Sequence, residues 1–289
     1  VDYDFIMGDR MDDLQAGINI MSTLIDKPIN FSTTHKKDTR FTNLNNVEIY
    51  NIKGVHPSGN ESFQINKIDP LNFGETVWVV KPEDLANIGA FFKTGVFCST
   101  RTIAVSGDSL KSPKYFSTVI GSSISSLINN DEINDINNYR FINGDPLSGS
   151  KVEYSDYIGF YNNCLSVIEE GNNYRMLGWL PFMYNSVPSL SKTSFSWLLS
   201  GAKKVNTNLN GEERAIVVTG EMEKYFPMDI FPMQLIKACI RGDIEKMESL
   251  GIYEVVPEDF GLVDFSCTSK IEAQEIIKSG IQIMLKEVG

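Results

Sequence analysis

A chain of 289 residues, 42% hydrophobic and 22% charged, carries enough apolar side chain for ordinary globular cores and enough length for about two of them. Its formal net charge of −11 opposes phosphate backbones and anionic headgroups, and no run of Lys and Arg interleaved with aromatics offsets it, which excludes nucleic acid and direct membrane adsorption. Four scattered cysteines (Cys98, Cys164, Cys239 and Cys267) show no C-x-x-C or Cys/His ligand spacing and read as reduced thiols.

The opening "VDYDFIMGDR" has no Met, basic segment or apolar run, so it is expected to continue a longer polypeptide rather than to be a signal peptide. Helical spacing runs from Met11 to Ile25 through Leu14, Ile18 and Met21, and Pro28 supplies a stop. "INFST", "VEIYNI" and "ETVWVV" read as short strands, and Pro82 opens the amphipathic helix "PEDLANIGAFFKT", with acids in its first turn and Gly95 behind it. Strands alternating with helices predict part of a doubly wound, Rossmann-like α/β domain over residues 1–96.

The rhythm then changes. "STRTIAVSG", "KYFSTVI" and "YRFING" alternate as strands, with a short helix at Ile124, Leu127 and Ile128, the order of a β-grasp unit over 97–150. Residues 151–220 form a β-rich segment with strand-like pieces "YIGFYNN", "CLSVIEE", "YRMLGWL" and "RAIVVTG" and a helical turn "TSFSWLLSG". Its longest uncharged run, Met176 to Ser191, is too short and too broken by Pro181 and Pro188 to span a membrane. From 221 to 289 the pattern is helical. Pro232 opens a helix with the stripe Leu235, Ile236, Cys239 and Ile240, Gly242 and Asp243 separate it from the next, and Ser269 with Glu272 matches a capping box for the last.

Chemistry is sparse. "GDPLSGSK", Gly144 to Lys151, has its lysine one position out of register for a phosphate loop, and turn formation explains its Gly and Pro. No G-x-G-x-x-G, G-x-S-x-G or H-E-x-x-H occurs. His35 lies in a charged loop. His56 lies in the turn "GVHPSGN", where it either caps backbone or hydrogen-bonds a ligand carbonyl or a partner chain. Trp179, Phe182, Tyr184, Phe195 and Trp197 make an aromatic, charge-poor segment that suits either a core or a docking face. His56, Trp179, Phe182, Tyr184 and Trp197 are therefore the ligand or docking candidates. No catalytic, cofactor or metal residue is assigned, and Cys267 reads as a buried small hydrophobe.

Beyond these patterns, "TRTIAVSGD", "KYFSTVIGSSISSLI" and "RFINGDPLSG" resemble the soluble-ligand-binding β-grasp domain. The run from Tyr225 to Glu272, "YFPMDIFPMQLIKACIRGDIEKMESLGIYEVVPEDFGLVDFSCTSKIE", resembles the NqrA family, one component of the Na+-translocating NADH:quinone reductase. The resemblance covers essentially the whole chain, short of an N-terminal region that resembles a lipoyl carrier and the start of the nucleotide fold. It implies an α+β multidomain fold like the flavoprotein subunit of complex I, with a C-terminal helical domain that has lost its iron–sulfur cluster. Val263 stands where relatives commonly carry a cysteine, and Thr268 replaces the proline after Cys267. It further implies a peripheral subunit on the cytoplasmic side of the bacterial inner membrane, partnered by integral membrane subunits. NADH, FMN and FAD would belong to those partners, and ubiquinone or menaquinone would be substrate. The competing expectations are an iron–sulfur subunit of a ferredoxin:NAD reductase, which predicts bound iron, and a free-standing ligand-binding β-grasp module.

Overall fold

A computed structural model describes residues 1–33, 40–128, 133, 135–171, 187–190 and 204–288. Three apolar cores organise them into an α/β unit, a five-stranded sheet and a C-terminal helical unit.

In the α/β unit, Asp2 opens helix α1 (Tyr3–Met7) by accepting the Phe5 amide, and α2 runs from Met11 to Met21. The apolar spacing extends to Ile25, but the helix stops four residues earlier; Leu24 and Ile25 are exposed, with no core beneath them to hold another turn. Strands β1 (Ile29–Thr33) and β2 (Val47–Asn51) pair in parallel, Ile29 opposite Val47. Helix α3 (Glu61–Ile68) gives little sequence signal because Ser62 is its one buried residue. Helix α4 (Pro82–Thr94) has the expected ends: Glu83 and Asp84 in the first turn and left-handed Gly95 (φ 73°) after it. The core holds Met7, Leu14, Ile18, Phe41, Leu85 and Ala86. The expected strand "ETVWVV" is a correction: residues 75–80 are outside any strand, with no ladder partner among the described residues.

The second unit comprises β3 (Thr100–Ser106), β4 (Lys114–Val119), a single helical turn α5 (Ile124–Leu127), β5 (Tyr139–Asn143), β6 (Ser150–Val152) and β7 (Cys164–Glu169). The sheet order is β4-β3-β7-β5-β6, with β3 parallel to β7 and the other neighbours antiparallel. The boundary expected at 150 therefore falls inside a sheet. "CLSVIEE" supplies its central strand, whose Leu165 and Val167 complete the core with Ile103, Val105 and Phe141. "YIGFYNN" is not a strand; it makes one bridge, Tyr157 to Ser123, before turning at Phe160–Tyr161. "GDPLSGSK" is the β5–β6 turn, where the Asp145 carboxylate accepts the Leu147 and Ser148 amides and the Ser148 hydroxyl.

The C-terminal unit contains α6 (Glu221–Tyr225), α7 (Pro232–Arg241), α8 (Ile244–Ser249), α9 (Gly261–Ser266) and α10 (Ala273–Val288). "RAIVVTG" is irregular here, with Val217 and Val218 exposed. Leu235, Ile236 and Cys239 are buried as their spacing predicts, whereas Ile240 is exposed. Left-handed Gly242 ends α7, and Asp243 caps α8 by accepting the Lys246 amide. The capping box at Ser269 and Glu272 does not form. Ser269 donates to the Ala215 carbonyl instead, and the Asp264 carboxylate accepts the first amides of α10, from Ala273 at 2.6 Å and Gln274 at 3.3 Å. "YRMLGWL" and "TSFSWLLSG" lie outside the described residues, as does His35.

Candidate functional site at the junction of the units

The C-terminal unit is held against the other two by polar contacts. Asn60 and Ser62, at the start of α3, donate to Asp259, which also accepts the Val256 amide. Burial pushes the Asp259 carboxyl above the usual aspartate range despite these donors. Gln274 donates to both Asp264 and the Leu147 carbonyl, tying α10 to the β5–β6 turn. Burial raises the Asp264 carboxyl in the same way.

Beside these contacts lies a cleft of about 1770 Å3 between the sheet and the C-terminal helices. Ile216, Ile240, Phe265, Ile276 and Ile283 give it an apolar wall, while Arg140, Lys151, Arg214 and Lys270 bring cations to it. Lys270 stands out on three counts. Its backbone is left-handed (φ 52°), its stem passes the backbone of Gly211, and its ammonium makes no hydrogen bond or ion pair among the described residues. Burial pushes its pKa below the ordinary lysine value. Asp145, Glu213, Asp264, Glu272 and Glu275 also line the cleft, but among the described residues none of them pairs with the Lys270 ammonium, which is left as a donor to a ligand oxygen.

Arg140, by contrast, is committed. Its guanidinium donates to both oxygens of Glu170, which also accepts the Thr207 hydroxyl at 2.7 Å and so ties β5 to the segment after residue 204. The Arg140 hydrogen bonds, then that from Thr207, hold the Glu170 carboxyl below its ordinary value of 4.5, against burial. A carboxyl depressed on folding contributes stability that is present above the unfolded pKa and lost as pH falls through the folded one. Arg140→Met is therefore expected to cost about 1–2 kcal/mol at pH 7, allowing for partial exposure. That difference should shrink as pH falls below 4.5. Urea denaturation of both proteins from pH 7 to pH 3.5 measures it; a pH-independent gap would mean the arginine acts through packing alone.

The structure places His56 at the rim of this cleft, exposed, on the turn leading to α3. Trp179, Phe182, Tyr184 and Trp197 lie outside the described residues. The cysteines are dispersed: Cys164 in the sheet, Cys98 ahead of it, Cys239 and Cys267 in the helical core. Burial raises the Cys239 thiol to about 11, and its sulfur sits 2.5 Å from where a Cβ on Gly280 would stand, so it fills the crossing of α7 and α10. Among the described residues no three His, Cys, Asp or Glu side chains are grouped to hold a metal. No described helix is long and apolar enough to cross a membrane. Sequence reasoning misses Lys270, because a helix cap explains its neighbourhood and its left-handed backbone leaves no sequence mark.

Fold and site together define a multidomain α+β protein whose units are clasped by buried polar contacts around an open amphipathic cleft. Family models narrow that class: residues 1–97 match the "NqrA second alpha/beta domain" and residues 102–154 the "NQRA C-terminal domain". The chain is 32% identical over 287 residues to the NqrA component of the Na(+)-translocating NADH-quinone reductase of Neisseria meningitidis serogroup B, and 32% identical over 284 residues to that of Haemophilus influenzae strain PittGG. Each alignment takes in 98% of this chain and 63% of the relative, so the chain spans less than two thirds of the length of the relatives it matches. The chain belongs to the NqrA family of the Na+-translocating NADH:quinone reductases.

Proposed function

We propose that the chain works as a peripheral part of a bacterial Na+-translocating NADH:quinone reductase, at the cytoplasmic face of the inner membrane. Integral membrane subunits hold it there, and its partners carry NADH, FMN and FAD. The observation that carries this reading is the alignment to the NqrA relatives over 98% of the chain, which includes the sheet and the helices that line the cleft. We read the sheet order β4-β3-β7-β5-β6, with its parallel central pair, as a β-grasp domain, and residues 1–96 as part of a Rossmann-like domain. The C-terminal helices correspond to a cluster domain without its cluster: Val263 and Cys267 are both packed in an apolar core.

In this reading the chain receives quinone, ubiquinone or menaquinone, and transfers no hydride itself. The cleft offers an apolar wall for a prenyl tail and the Lys270 ammonium for a quinone carbonyl. A charge-assisted hydrogen bond in a half-buried site contributes about 1.5–3 kcal/mol. Titrating the chain with a short-chain ubiquinone should therefore give a saturable change in its backbone NMR spectrum, and Lys270→Met should weaken binding about tenfold or more. A flat titration would leave the chain a purely structural role in the complex, and equal affinity in the variant would move the site away from Lys270.

A further inference from the structure

At an Asn-Gly pair the asparagine side chain meets the following amide unhindered, because glycine carries no side chain. The chain has two such pairs, Asn143–Gly144 and Asn210–Gly211, and the fold treats them differently. Asn143 sits in β5, opposite Leu165 of β7 and Ser150 of β6, and the Gly144 amide donates to the Cys164 carbonyl at 2.9 Å. Asn210 and Gly211 lie outside any helix or strand. Gly211 is exposed, and its amide donates to no group among the described residues. Asn210 is left-handed (φ 51°), a conformation that Asn tolerates, and it lines the same cleft as Lys270.

Gly211 is also the residue against which the Lys270 stem rests: a Cβ there would lie 3.1 Å from the lysine Cε. Two hydrogen bonds hold that arrangement, from the Arg214 amide to the Ser269 carbonyl at 2.8 Å and from the Ser269 hydroxyl to the Ala215 carbonyl at 3.0 Å. We propose that Asn210–Gly211 is a site of spontaneous deamidation, and that the carboxylate it creates pairs with Lys270 and silences the ammonium donor of the cleft. The Gly211 nitrogen loses its proton and attacks Asn210 Cγ, forming the C–N bond of a succinimide. The side-chain nitrogen takes up the proton and leaves as ammonia. Water then opens the ring to aspartate or isoaspartate, so water is the only co-reactant and nothing is oxidised or reduced. Either product adds one negative charge to the cleft wall next to the lysine stem, and an opposite charge at short range holds an ammonium in its charged form. No catalyst is required, so the donor is lost as the polypeptide ages. The modification stands on its own geometry; its consequence for quinone rests on the reading of the cleft proposed above.

The test incubates the whole folded chain in mildly alkaline buffer and follows both Asn-Gly peptides by mass spectrometry, which reads the mass difference between an amide and an acid. The Asn210 peptide should convert about tenfold faster or more than the Asn143 peptide, because Gly144 must first leave its hydrogen bond in the sheet and such local opening costs free energy. In urea the two rates should converge, since an acid follows both pairs, Asp145 in one and Glu212 in the other. Acetylation of Lys270 by a water-soluble succinimidyl ester should fall as the Asn210 product accumulates, because only the neutral amine reacts. It should be as low in Asn210→Asp from the start, whereas Asn210→Gln, whose longer side chain cyclises slowly, should keep it at the fresh wild-type level. Equal conversion of the two peptides in the folded chain, or none at Asn210, overturns the site. Unchanged Lys270 reactivity in both the aged chain and Asn210→Asp overturns the pairing. Short-chain ubiquinone should bind Asn210→Asp about tenfold more weakly, as it does Lys270→Met. A fresh wild-type chain that binds no quinone overturns the reading of the cleft instead, and the mass and acetylation results still decide the modification.

Discussion

Gly89→Ala is expected to destabilise the α/β unit by about 3 kcal/mol or more, although Ala is the better helix former by about 1 kcal/mol. A Cβ on Gly89 would lie 1.9 Å from the Asp13 carbonyl oxygen and 2.6 Å from the Gly17 nitrogen. A Cβ on Gly17 would lie 2.1 Å from the Leu85 carbonyl oxygen. Helices α2 and α4 thus meet backbone to backbone at a pair of facing glycines, and backbone atoms have no rotamer into which to retreat. Relief requires the helices to separate, which loosens Leu14, Ile18, Leu85 and Ala86 together. Gly95→Ala is the control: its φ of 73° makes a side chain strained, but its Cβ would meet nothing within 4 Å, so a loss of about 1 kcal/mol is expected. Urea denaturation followed by circular dichroism separates the two. If both variants lose the same amount, the crossing is looser than its geometry requires and the glycine pair is incidental.

How much of this is legible in the sequence depends on whether the cause is local. Helix α4 is legible because Pro82, its first-turn acids and Gly95 are all local determinants, and β3 and β4 are legible from alternation. The cap of α10 is not. Asp264 reaches the amides of Ala273 and Gln274 because α9 and the left-handed Lys270 fold the chain back on itself, a geometry that the motif Ser269-x-x-Glu272 does not encode. In "ETVWVV" the residues do prefer an extended chain. Pairing, though, is a property of the neighbour, and no neighbour within the described residues supplies it. The cleft is legible only at His56. Arg140 is hidden because its partner Glu170 is 30 positions away. Arg101 does leave a signal: it stands in phase with Ile103 and Val105, on the inward face of β3, where a charge requires a partner.

That partner defines the second large effect. The Arg101 side chain is 1% exposed and donates to Asp84 and, at 3.4 Å, to Asn163, with Phe160 beside its guanidinium. Neighbouring Glu83 is also buried and accepts the Thr102 amide at 3.0 Å and the Asn163 side chain at 2.6 Å. The acids that begin α4 thus do more than offset its dipole; they fasten the α/β unit to β3 of the sheet. A buried ion pair adds little beyond an apolar pair of the same shape, but removing one partner strands the other charge, typically at a loss of about 3–5 kcal/mol. Arg101→Met is expected to fall in that range, because it leaves the Asp84 carboxylate without its buried cation. The double variant Arg101→Met/Asp84→Leu should recover at least half of the loss, since it removes the stranded carboxylate along with the arginine. Denaturation of the wild type, both single variants and the double variant closes the cycle. Additive losses would show that Arg101 contributes through its contact with Phe160 and Asn163 rather than through its charge, and that the joint between the units is held by packing.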